Sequence, residues 1–293
     1  MIQISVIIPS YNHLTKIEAC IKSILSQDFS GQYEIIIVDS SSKAHQYELE
    51  NVCLIDERIN LIKLAQQTYP GAARNIGIEA SNGDIIALID SDCIADKSWL
   101  KNIYKNISEN VILTGFIKNG TKNNVLGTCS YLVEFNHFLE SNQEEKEILA
   151  AATCNFACKK SVFDAMGKFT KERAFEDFLF SHKFRMSGGK IYKRHDICIS
   201  HVNKTELKDI RTNQKMLGNF SAKMRKKHGI PPKLILRYPI LSIFLVVFRY
   251  FSILSRVFKN KHLISFLWYS PVIVYFLVYW SVGFYAGAKG KVV

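Results

Sequence analysis

The sequence predicts an α/β fold, a mostly parallel sheet with helices on both faces, followed by membrane-associated helices at the C-terminus. Short Ile/Val runs alternate with segments of helical periodicity through the first 200 or so residues, which is typical of a covered parallel sheet. From residue 238 onward the chain is apolar and contains no Asp or Glu. The 293 residues are 48% hydrophobic and 22% charged, which excludes a disordered, collagen-like or small disulfide-stapled protein.

The first third of the chain repeats strand and helix three times before its fourth strand. A buried strand ends before Pro9, and the helix after it has apolar residues at helical spacing. The predicted elements are strand 2–8, helix 13–27, strand 34–38, helix 42–51, strand 60–64, helix 71–80 and strand 84–89. Ligands of such sheets bind at the carboxyl ends of the strands, so we expect the loops after the first, second and fourth strands to meet.

Three carboxylates and an aromatic ring occupy those loops. Tyr11 follows the first strand, Asp39 the second, and Asp90 and Asp92 the fourth. The glycine-rich patterns of dinucleotide folds and P-loops do not occur in the sequence. Carboxylates repel a nucleotide diphosphate unless a divalent cation bridges them. The Asp90/Asp92 pair therefore indicates a metal and ribose site.

Four motifs in this order resemble the family 2 glycosyltransferases of the GT-A fold, over about residues 3–202. The motifs are SVIIPSYN at 5–12, IIIVDSSS at 35–42, PGAARNIGIEASNGDIIALIDSD at 70–92, and FEDFLFSHKFRMSGGKIYK at 175–193. The resemblance implies a nucleotide-sugar donor linked to UDP or GDP, a cofactor Mg²⁺ or Mn²⁺, and inverting transfer of a sugar.

By this resemblance, the loop after the first strand lines the nucleotide base. Tyr11 is then expected against the base, Pro9 shapes the turn, and Asp39 accepts hydrogen bonds from base or ribose. The chain departs from the family at Ser40 and Ser41, where relatives often carry a second acidic residue and glycine. A half-buried loop aromatic is the alternative for Tyr11.

The resemblance assigns the phosphate and metal contacts to the third motif. Arg74 is expected to face phosphate oxygens near a helix start, where backbone N–H groups also favour anions. Asp90 is expected at the ribose and Asp92 on the cation. Cys93 stands where many relatives have a further aspartate. His201, at the end of a predicted strand, resembles a position near the metal in some GT-A enzymes; a plain loop histidine is the alternative.

Acceptor binding and catalysis fall to the later motifs. Asn155 is expected to present its amide to the acceptor, with a turn asparagine as the alternative. Glu176 and Asp177 open a helix, where acidic residues also favour the helix dipole without any catalytic role. The family pattern makes Asp177 the general base and leaves Glu176 to orient neighbours or contact the acceptor.

Charge is concentrated toward the C-terminus, although the whole chain carries +12. Residues 1–203 are almost neutral and form the predicted glycosyltransferase domain; residues 204–237 form a basic collar next to the membrane, and residues 238–293 the membrane-associated helices. The uncharged stretch 263–288 predicts a membrane-spanning helix. The stretch 238–258, interrupted by Arg249 and Arg256, fits either a hairpin arm or an interfacial helix.

The positive-inside rule places the collar and the N-terminal domain in the cytoplasm, at the cytoplasmic (cell inner) membrane. Met1 is followed directly by a strand, so no signal peptide is expected. Seven cysteines without metal spacing fit a reducing compartment. The basic residues abut the apolar segment instead of alternating with exposed aromatics, so nucleic acid is not expected as a partner.

The sequence therefore predicts a membrane-attached, inverting glycosyltransferase that acts on a glycan or lipid-linked acceptor in cell-surface polysaccharide or glycolipid synthesis. Two alternatives stay open. One is a polyprenyl-phosphate glycosyltransferase, whose lipid phosphate nucleophile needs no strong base. The other is a non-catalytic nucleotide-binding scaffold at the membrane.

Overall fold

The structure is a computed structural model that describes residues 1–140, 145–258 and 263–291. Within it, the chain divides into two compact units. The first contains Met1–Lys118 and Asn142–His201, and the second contains Asn119–Ser141 and Val202–Val293. The grouping of residues 119–141 with the C-terminal helices was not anticipated from the sequence. Residues 259–262, in the expected membrane region, lie outside the described residues.

One mixed sheet forms the centre of the first unit. Its strands are β1 Ile4–Ser10, β2 Tyr33–Asp39, β3 Ile59–Lys63, β4 Ile85–Ile89, β5 Cys93–Ala95, β6 Val111–Asn119, β7 Glu145–Glu147, β8 Asn155–Lys159 and β9 Lys190–His201. The spatial order is β3-β2-β1-β4-β8-β6-β9-β5, and β7 pairs with β9. The predicted α/β class with a parallel sheet is confirmed for β1 to β4, which are parallel. An antiparallel part begins where β8 pairs with β4.

Strand β1 runs further than the sequence predicted. Pro9 lies inside the strand, opposite Val38 of β2, and Ser10 lies opposite Asp39. The ladder with β4 ends at Ile7. Because proline cannot donate a ladder hydrogen bond, it is tolerated where pairing on one side has ended. Pro9 therefore belongs to the strand end, and the turn begins two residues later.

The helices of the first unit are α1 Leu14–Leu25, α2 Lys43–Cys53, α3 Pro70–Ala80, α4 Trp99–Asn106, α6 Lys160–Met166 and α7 Glu176–Met186. Of these, α1, α2, α3 and α7 were predicted from the sequence, and α4 and α6 were not. Helix α2 begins after Ser42, whose hydroxyl accepts from the backbone N–H of His45, a common N-cap. Helix α3 has Pro70 in its first turn, where the missing N–H costs no helical hydrogen bond.

An aromatic cluster lies behind α7 and fixes its position. The rings of Phe169 and Phe180 are 4.7 Å apart, and those of Phe163 and Phe180 are 5.0 Å apart. All three rings are buried, as is Phe156 beside them. Packed aromatic pairs contribute about 0.5–1.5 kcal/mol each beyond the area that they bury. The first turn of α7 is thereby held against the sheet.

The second unit is helical. It contains α5 Val125–Phe135, α8 Leu207–Lys227, α9 Lys233–Arg237, a 3-10 turn at Pro239–Ser242, α10 Ile243–Phe258 and α11 Leu263–Ala288. Two segments in the described part of the chain, Pro239–Phe258 and Phe266–Ala288, are long and apolar enough to cross a membrane by length and composition. All seven cysteines of the protein are buried as thiols.

Candidate active site

The loops after β1 and β2 meet as predicted, and Ser41 ties them together. Its backbone N–H donates to Oδ2 of Asp39 at 3.0 Å, and its hydroxyl donates to Oδ1 at 2.7 Å. The same hydroxyl accepts from the backbone N–H of Asn12 at 2.7 Å. Asp39 is fully buried beneath these contacts. The serine that departs from the family pattern therefore holds the Asp39 carboxylate in place.

Tyr11 lies at the open end of the same loop. Its side chain is 41% exposed, so the ring is accessible to a stacking partner. The next residue, Asn12, has φ +54°, a left-handed backbone conformation in which asparagine is enriched among non-glycine residues. Contact of Tyr11 or Pro9 with a nucleotide base stays a prediction.

Arg74 lies near the start of α3, where the sequence predicted it. It is 2% exposed and lies between two carboxylates. One terminal nitrogen donates to Oδ1 of Asp90 at 2.5 Å, and the other donates to Oε1 of Glu176 at 2.8 Å. These charge-assisted bonds hold Asp90 and Glu176 together. Contact of Arg74 with a bound phosphate stays a prediction.

Asp92 and His201 come together at the start of β5 and the end of β9. The His201 Nε2 lies 3.4 Å from Oδ1 of Asp92, and Cys93 is the register partner of His201. Donor atoms of Asp92, Cys93 and His201 all lie within 4.8 Å of one another. A carboxylate and an imidazole are suitable ligands for Mn²⁺ and related divalent ions.

Cys93 is the least suitable metal ligand of the three residues. Burial raises the pKa of its thiol well above the usual value, and the Sγ of Cys154 shares a hydrogen bond with it. A thiol coordinates a metal only after it loses its proton. Asp92 and His201 are therefore the side chains best suited to hold the cation.

Lys16 of α1 is a member of the site that sequence reasoning missed. Its Nζ lies 3.8 Å from Oδ2 of Asp92, and both side chains are partly buried. In this position the ammonium partly compensates the negative charge of the carboxylate. The periodicity that predicted α1 gave no indication that a polar position would point toward the end of β4.

Glu176 and Asp177 occupy the first turn of α7, as predicted. Glu176 is 7% exposed. Burial and the neighbouring Glu176 raise the pKa of Asp177 to about 7, although its bond from the Phe178 N–H and the charge of Arg74 oppose the shift. Burial also raises the pKa of Glu176, against the opposing charge of Arg74. A carboxylate with a pKa near 7 is suited to general base catalysis near neutral pH.

Two small features of α3 bring α7 close. A side chain at Gly71 would place its Cβ 2.7 Å from the carbonyl oxygen of Thr170 and 3.0 Å from Cγ of Glu176. The Asn75 amide donates to the carbonyl of Phe169 and accepts its N–H, both at 2.9 Å. Gly71 therefore permits the close approach, and Asn75 clamps the chain that leads into α7. The predicted helix begins at Gly71, whereas no sequence pattern indicated the role of Asn75.

The Asn155 amide is engaged in hydrogen bonds within the protein, so its expected contact with the acceptor stays a prediction. The side chain is fully buried. Its Oδ1 accepts from the Trp99 indole at 2.9 Å, and its Nδ2 donates to the carbonyls of Phe116 and Ile197. The amide thus joins α4, β6 and β9. Only the tertiary structure reveals these partners, since all are at least 39 positions away.

The parallel half-sheet, with acidic groups gathered at its carboxyl edge, defines a nucleotide-binding α/β domain of the GT-A type. The family model of Glycosyl transferase family 2 matches residues 5–167. The chain belongs to this family. Among curated proteins, the glycosyltransferase AglE of Haloferax volcanii is 31% identical over 173 residues, 57% of this chain and 55% of AglE. GlyG of Streptococcus pneumoniae is 24% identical over 205 residues, 64% of this chain and 66% of GlyG.

Solved structures share the fold. The mannosyltransferase PcManGT from Pyrobaculum calidifontis, in complex with GDP-Man and Mn²⁺, superposes with a TM-score of 0.64 at 14% identity, covering 98% of this chain and 86% of PcManGT. GalNAc-T7, with UDP, GalNAc and Mn²⁺, gives a TM-score of 0.57 at 17% identity, covering 70% of this chain and 45% of GalNAc-T7. The similarity to AglE spans about half of that relative's length.

Proposed function

We propose that this protein is an inverting, metal-dependent glycosyltransferase that transfers a sugar from a UDP- or GDP-linked donor to a glycan or lipid-linked acceptor. The observation that carries the proposal is the position of Arg74, which joins Asp90 to Glu176. Glu176 is adjacent to Asp177, so the donor-side and base-side carboxylates belong to one site. An inverting transfer needs both of these groups around the same sugar.

On the donor side, Tyr11 offers a ring face for the nucleotide base, and Asp39 supports the loop beside it. Asp90 is 29% exposed beside Arg74 and retains an oxygen that can accept from a ribose hydroxyl. Asp92 and His201 would hold Mn²⁺ or Mg²⁺, in keeping with the Mn²⁺ bound in both structural neighbours. The cation would neutralise the charge that grows on the departing diphosphate.

On the acceptor side, Asp177 removes the proton from the attacking hydroxyl. The hydroxyl oxygen bonds to the anomeric carbon as the bond to the nucleotide diphosphate breaks, so the configuration inverts. Glu176, held by Arg74, keeps the first turn of α7 in position. A lipid phosphate nucleophile arrives already ionised and would not need this base.

The second unit supports a location of the protein at a membrane. We place the protein at the cytoplasmic membrane with its catalytic unit in the cytoplasm, because residues 223–237 are strongly basic and positive segments stay on that side. The two apolar segments, Pro239–Phe258 and Phe266–Ala288, support the assignment. An acceptor attached to a lipid would lie at the same surface.

The test uses the purified full chain with Mn²⁺ and a panel of UDP- and GDP-sugars. We expect slow donor hydrolysis with one sugar and transfer to a suitable acceptor, both abolished by a chelator. Proton NMR of the first product should show the inverted anomeric configuration. A retained configuration, or hydrolysis indifferent to chelation, would contradict the proposed mechanism.

Two variants separate the alternatives. Asp177→Asn should abolish transfer to a hydroxyl acceptor, whereas Asp164→Asn, at an exposed position of α6, should be neutral. Full activity of Asp177→Asn with a polyprenyl phosphate would favour the lipid-phosphate reaction. Unaltered cellular glycan in an Asp92→Ala strain would favour the non-catalytic scaffold.

A further inference from the structure

The outer face of the segment from the 3-10 turn through α10 is apolar except at Ser255, which is also exposed. Its exposed side chains recur at intervals of three and four residues, so they share one face. The exposed apolar residues are Ile240, Ile243, Phe244, Val247, Phe248, Phe251 and Phe258, each between 54% and 72% exposed. Exposure of such a stripe to water costs about 25 cal/mol of free energy per Å² of apolar surface.

The inner face of α10 carries the charges. The guanidinium of Arg249 lies 4.1 Å from the ring centroid of Trp280 and donates to the carbonyl of Val133. Arg256 donates to the side-chain oxygen of Asn136 at 2.9 Å. Helix α10 thus turns its arginines inward, together with the buried Val246, Ile253 and Val257, and leaves its large exposed apolar side chains on the outer face.

Other polar groups of the same unit are also inside. The Glu134 carboxylate accepts from the amides of Asn213 and Gln214 at 3.0 and 2.9 Å, and Gln214 is fully buried. Ser281 donates to the carbonyl of Ser242 at 2.6 Å, and both are buried. An apolar exterior around polar contacts favours a lipid environment over water, because outward groups then meet hydrocarbon.

Helix α11 packs the C-terminal half of its length along α8, although Val282 in that half stays exposed. A Cβ at Gly283 would lie 2.0 Å from the carbonyl oxygen of Lys215, and one at Gly287 would lie 2.3 Å from that of Asn219. Further along, Lys226 donates to the carbonyl of Ala288 at 3.0 Å. The two helix backbones are therefore in direct contact over several turns.

The partner helix α8 is charged, which limits how much of α11 can lie in hydrocarbon. It has exposed charged residues such as Lys208 and Arg211, and the Arg211 guanidinium lies 5.4 Å from the Tyr279 ring centroid. The Arg211 side chain also hydrogen-bonds Tyr275, so of Phe266–Ala288 only residues 266–274 precede these contacts. These nine residues extend about 13 Å as a helix, shorter than the roughly 30 Å hydrocarbon core.

Helix α10 meets a similar limit. Arg249 lies at the middle of Pro239–Phe258, so a spanning orientation would place its charge near the bilayer centre. A charge there costs at least about 2.5–3.5 kcal/mol. Arg249 donates to the carbonyl of Val133, which precedes Glu134 in α5. A spanning α10 would therefore also place α5 and the Glu134 carboxylate near the bilayer centre. An orientation parallel to the membrane surface avoids both costs.

A basic depression adjoins the start of this apolar segment. It is lined by four cationic side chains together with Gly229 and Leu236; the cations are Arg225, Lys226, Lys233 and Arg237. Three of them, Lys226, Lys233 and Arg237, are exposed. No Asp or Glu occurs after Asp209 in the sequence. This composition complements phosphate groups of anionic lipids, which attract basic residues beside a membrane by about 1 kcal/mol each.

We propose that the second unit inserts into a single leaflet, with the outer face of α10 in the acyl region and the basic depression on anionic phospholipid phosphates. Neither α10 nor α11 crosses the bilayer. This inference rests on the proposed membrane location and not on the proposed reaction. A second copy of the chain is a poorer occupant of the apolar face, because pairing would bring two basic depressions of like charge together.

The first test measures binding of the full chain to vesicles by flotation. We expect binding to phosphatidylcholine vesicles containing phosphatidylglycerol, weakened by salt, and at least tenfold weaker binding to pure phosphatidylcholine. Val247→Glu/Phe248→Glu should reduce binding more than tenfold, whereas Tyr47→Glu, an exposed aromatic of α2, should not. Lys233→Gln/Arg237→Gln should remove the preference for the anionic lipid, unlike Lys101→Gln/Lys168→Gln in the catalytic unit.

Donor hydrolysis in detergent separates this inference from the proposed function. Val247→Glu/Phe248→Glu should hydrolyse donor at the wild-type rate, because neither residue belongs to the catalytic site. The inference would be overturned if the wild-type chain hydrolysed donor, did not bind vesicles and was dimeric by light scattering. That result would identify the outer face of α10 as a contact between two copies of the chain. An enzyme that binds vesicles without hydrolysing any donor would contradict the proposed function alone.

The second test determines sidedness in cells. Single substitutions Phe258→Cys and Lys289→Cys introduce exposed thiols, while the seven native cysteines are buried. A membrane-impermeant maleimide added to intact spheroplasts should label neither site, and Lys289→Cys should react in inverted membranes, as should Lys168→Cys in the catalytic unit. Labelling of Lys289→Cys from outside would indicate one crossing, and labelling of Phe258→Cys would indicate a spanning hairpin. Either result would overturn the inference.

Discussion

Arg74 donates a hydrogen bond of 2.8 Å to Glu176, a residue 102 positions further along the chain. The same guanidinium holds Asp90, so one buried cation connects the end of β4 with the start of α7. Desolvation of Arg74 is offset by the two carboxylates, which hold its pKa above the usual value. The contact organises the catalytic unit around a single acidic centre.

Removal of this cation should leave the buried Glu176 carboxylate and the partly exposed Asp90 carboxylate without the guanidinium that both now bind. We expect Arg74→Met to lower the free energy of unfolding by about 3–5 kcal/mol. The double variant Arg74→Met/Glu176→Gln should recover part of that loss, because one uncompensated charge is gone. Chemical denaturation measures both, and Lys63→Met, in an exposed pair with Glu50, should cost less than about 1 kcal/mol. Equal losses in Arg74→Met and Lys63→Met would contradict the assigned role.

The raised pKa of Asp177 predicts how activity depends on pH. A general base must be ionised, so kcat/KM should rise with pH to a plateau above about pH 7, the value to which burial and Glu176 raise this pKa. Initial rates with a fixed nucleotide sugar between pH 5 and 9 measure the profile. A flat profile across pH 6 to 8 would argue against Asp177 as the base.

The same pKa has a consequence for stability. Between the unfolded value near 4 and the folded value of about 7, the folded chain binds the proton that the unfolded chain has lost. Stability therefore falls as pH rises through this window. Asp177→Asn should raise the melting temperature more at pH 8 than at pH 5. The control Asp164→Asn should leave the melting temperature unchanged at both pH values. Identical shifts at both pH values would show that the carboxylate is not desolvated.

Metal binding should depend on Asp92 and His201. We expect Asp92→Asn and His201→Ala each to weaken Mn²⁺ binding at least tenfold, measured by electron paramagnetic resonance without nucleotide. Lys16→Gln should tighten it, because the ammonium 3.8 Å from Asp92 competes with the ion. Asp96→Asn, at a surface pair with Lys118, serves as the control. Unchanged affinity in Asp92→Asn would place the ion elsewhere.

Asn155 should matter for folding and not for acceptor affinity. Asn155→Ala removes the partner of the Trp99 indole and of two carbonyls, and each buried group left unpaired costs about 1–3 kcal/mol. Thermal unfolding should show a large loss of stability, while the KM for acceptor stays within twofold of wild type. A higher KM with unchanged stability would restore the acceptor-binding role.

The contact between α8 and α11 should tolerate no side chain at Gly283. A Cβ there would lie 2.0 Å from the Lys215 carbonyl oxygen, so Gly283→Val must separate the helices. Limited trypsin digestion should then cut faster at the basic end of α8, around Lys226 and Lys227. Val282→Ala, at an exposed neighbouring position, should leave the digestion rate unchanged. The same rate in both variants would contradict the close packing.

Local patterns in the sequence predicted much of the parallel half of the fold. The strands β1 to β4 and the helices between them lie within a few residues of their predicted bounds, because Ile/Val runs and helical periodicity are encoded locally. The acidic pair at the start of α7 was placed correctly for the same reason. The antiparallel strands β5 to β9 depend on distant pairing, and residues 119–141 group with the C-terminal helices.

The family, the parallel core and the acidic residues at the strand ends follow from the sequence alone, since motif order and periodicity are properties of neighbouring residues. Three features depend on the three-dimensional packing: Arg74 binds carboxylates, Asn155 is buried and hydrogen-bonded to three distant groups, and α10 turns its arginines inward. A charged or amide side chain has the same sequence signature whether it contacts a ligand, solvent or a distant backbone group. A buried polar group has lost its contacts with water, so it needs an opposite charge or a hydrogen-bonding atom beside it. Which group takes that place depends on the residues that the fold brings together.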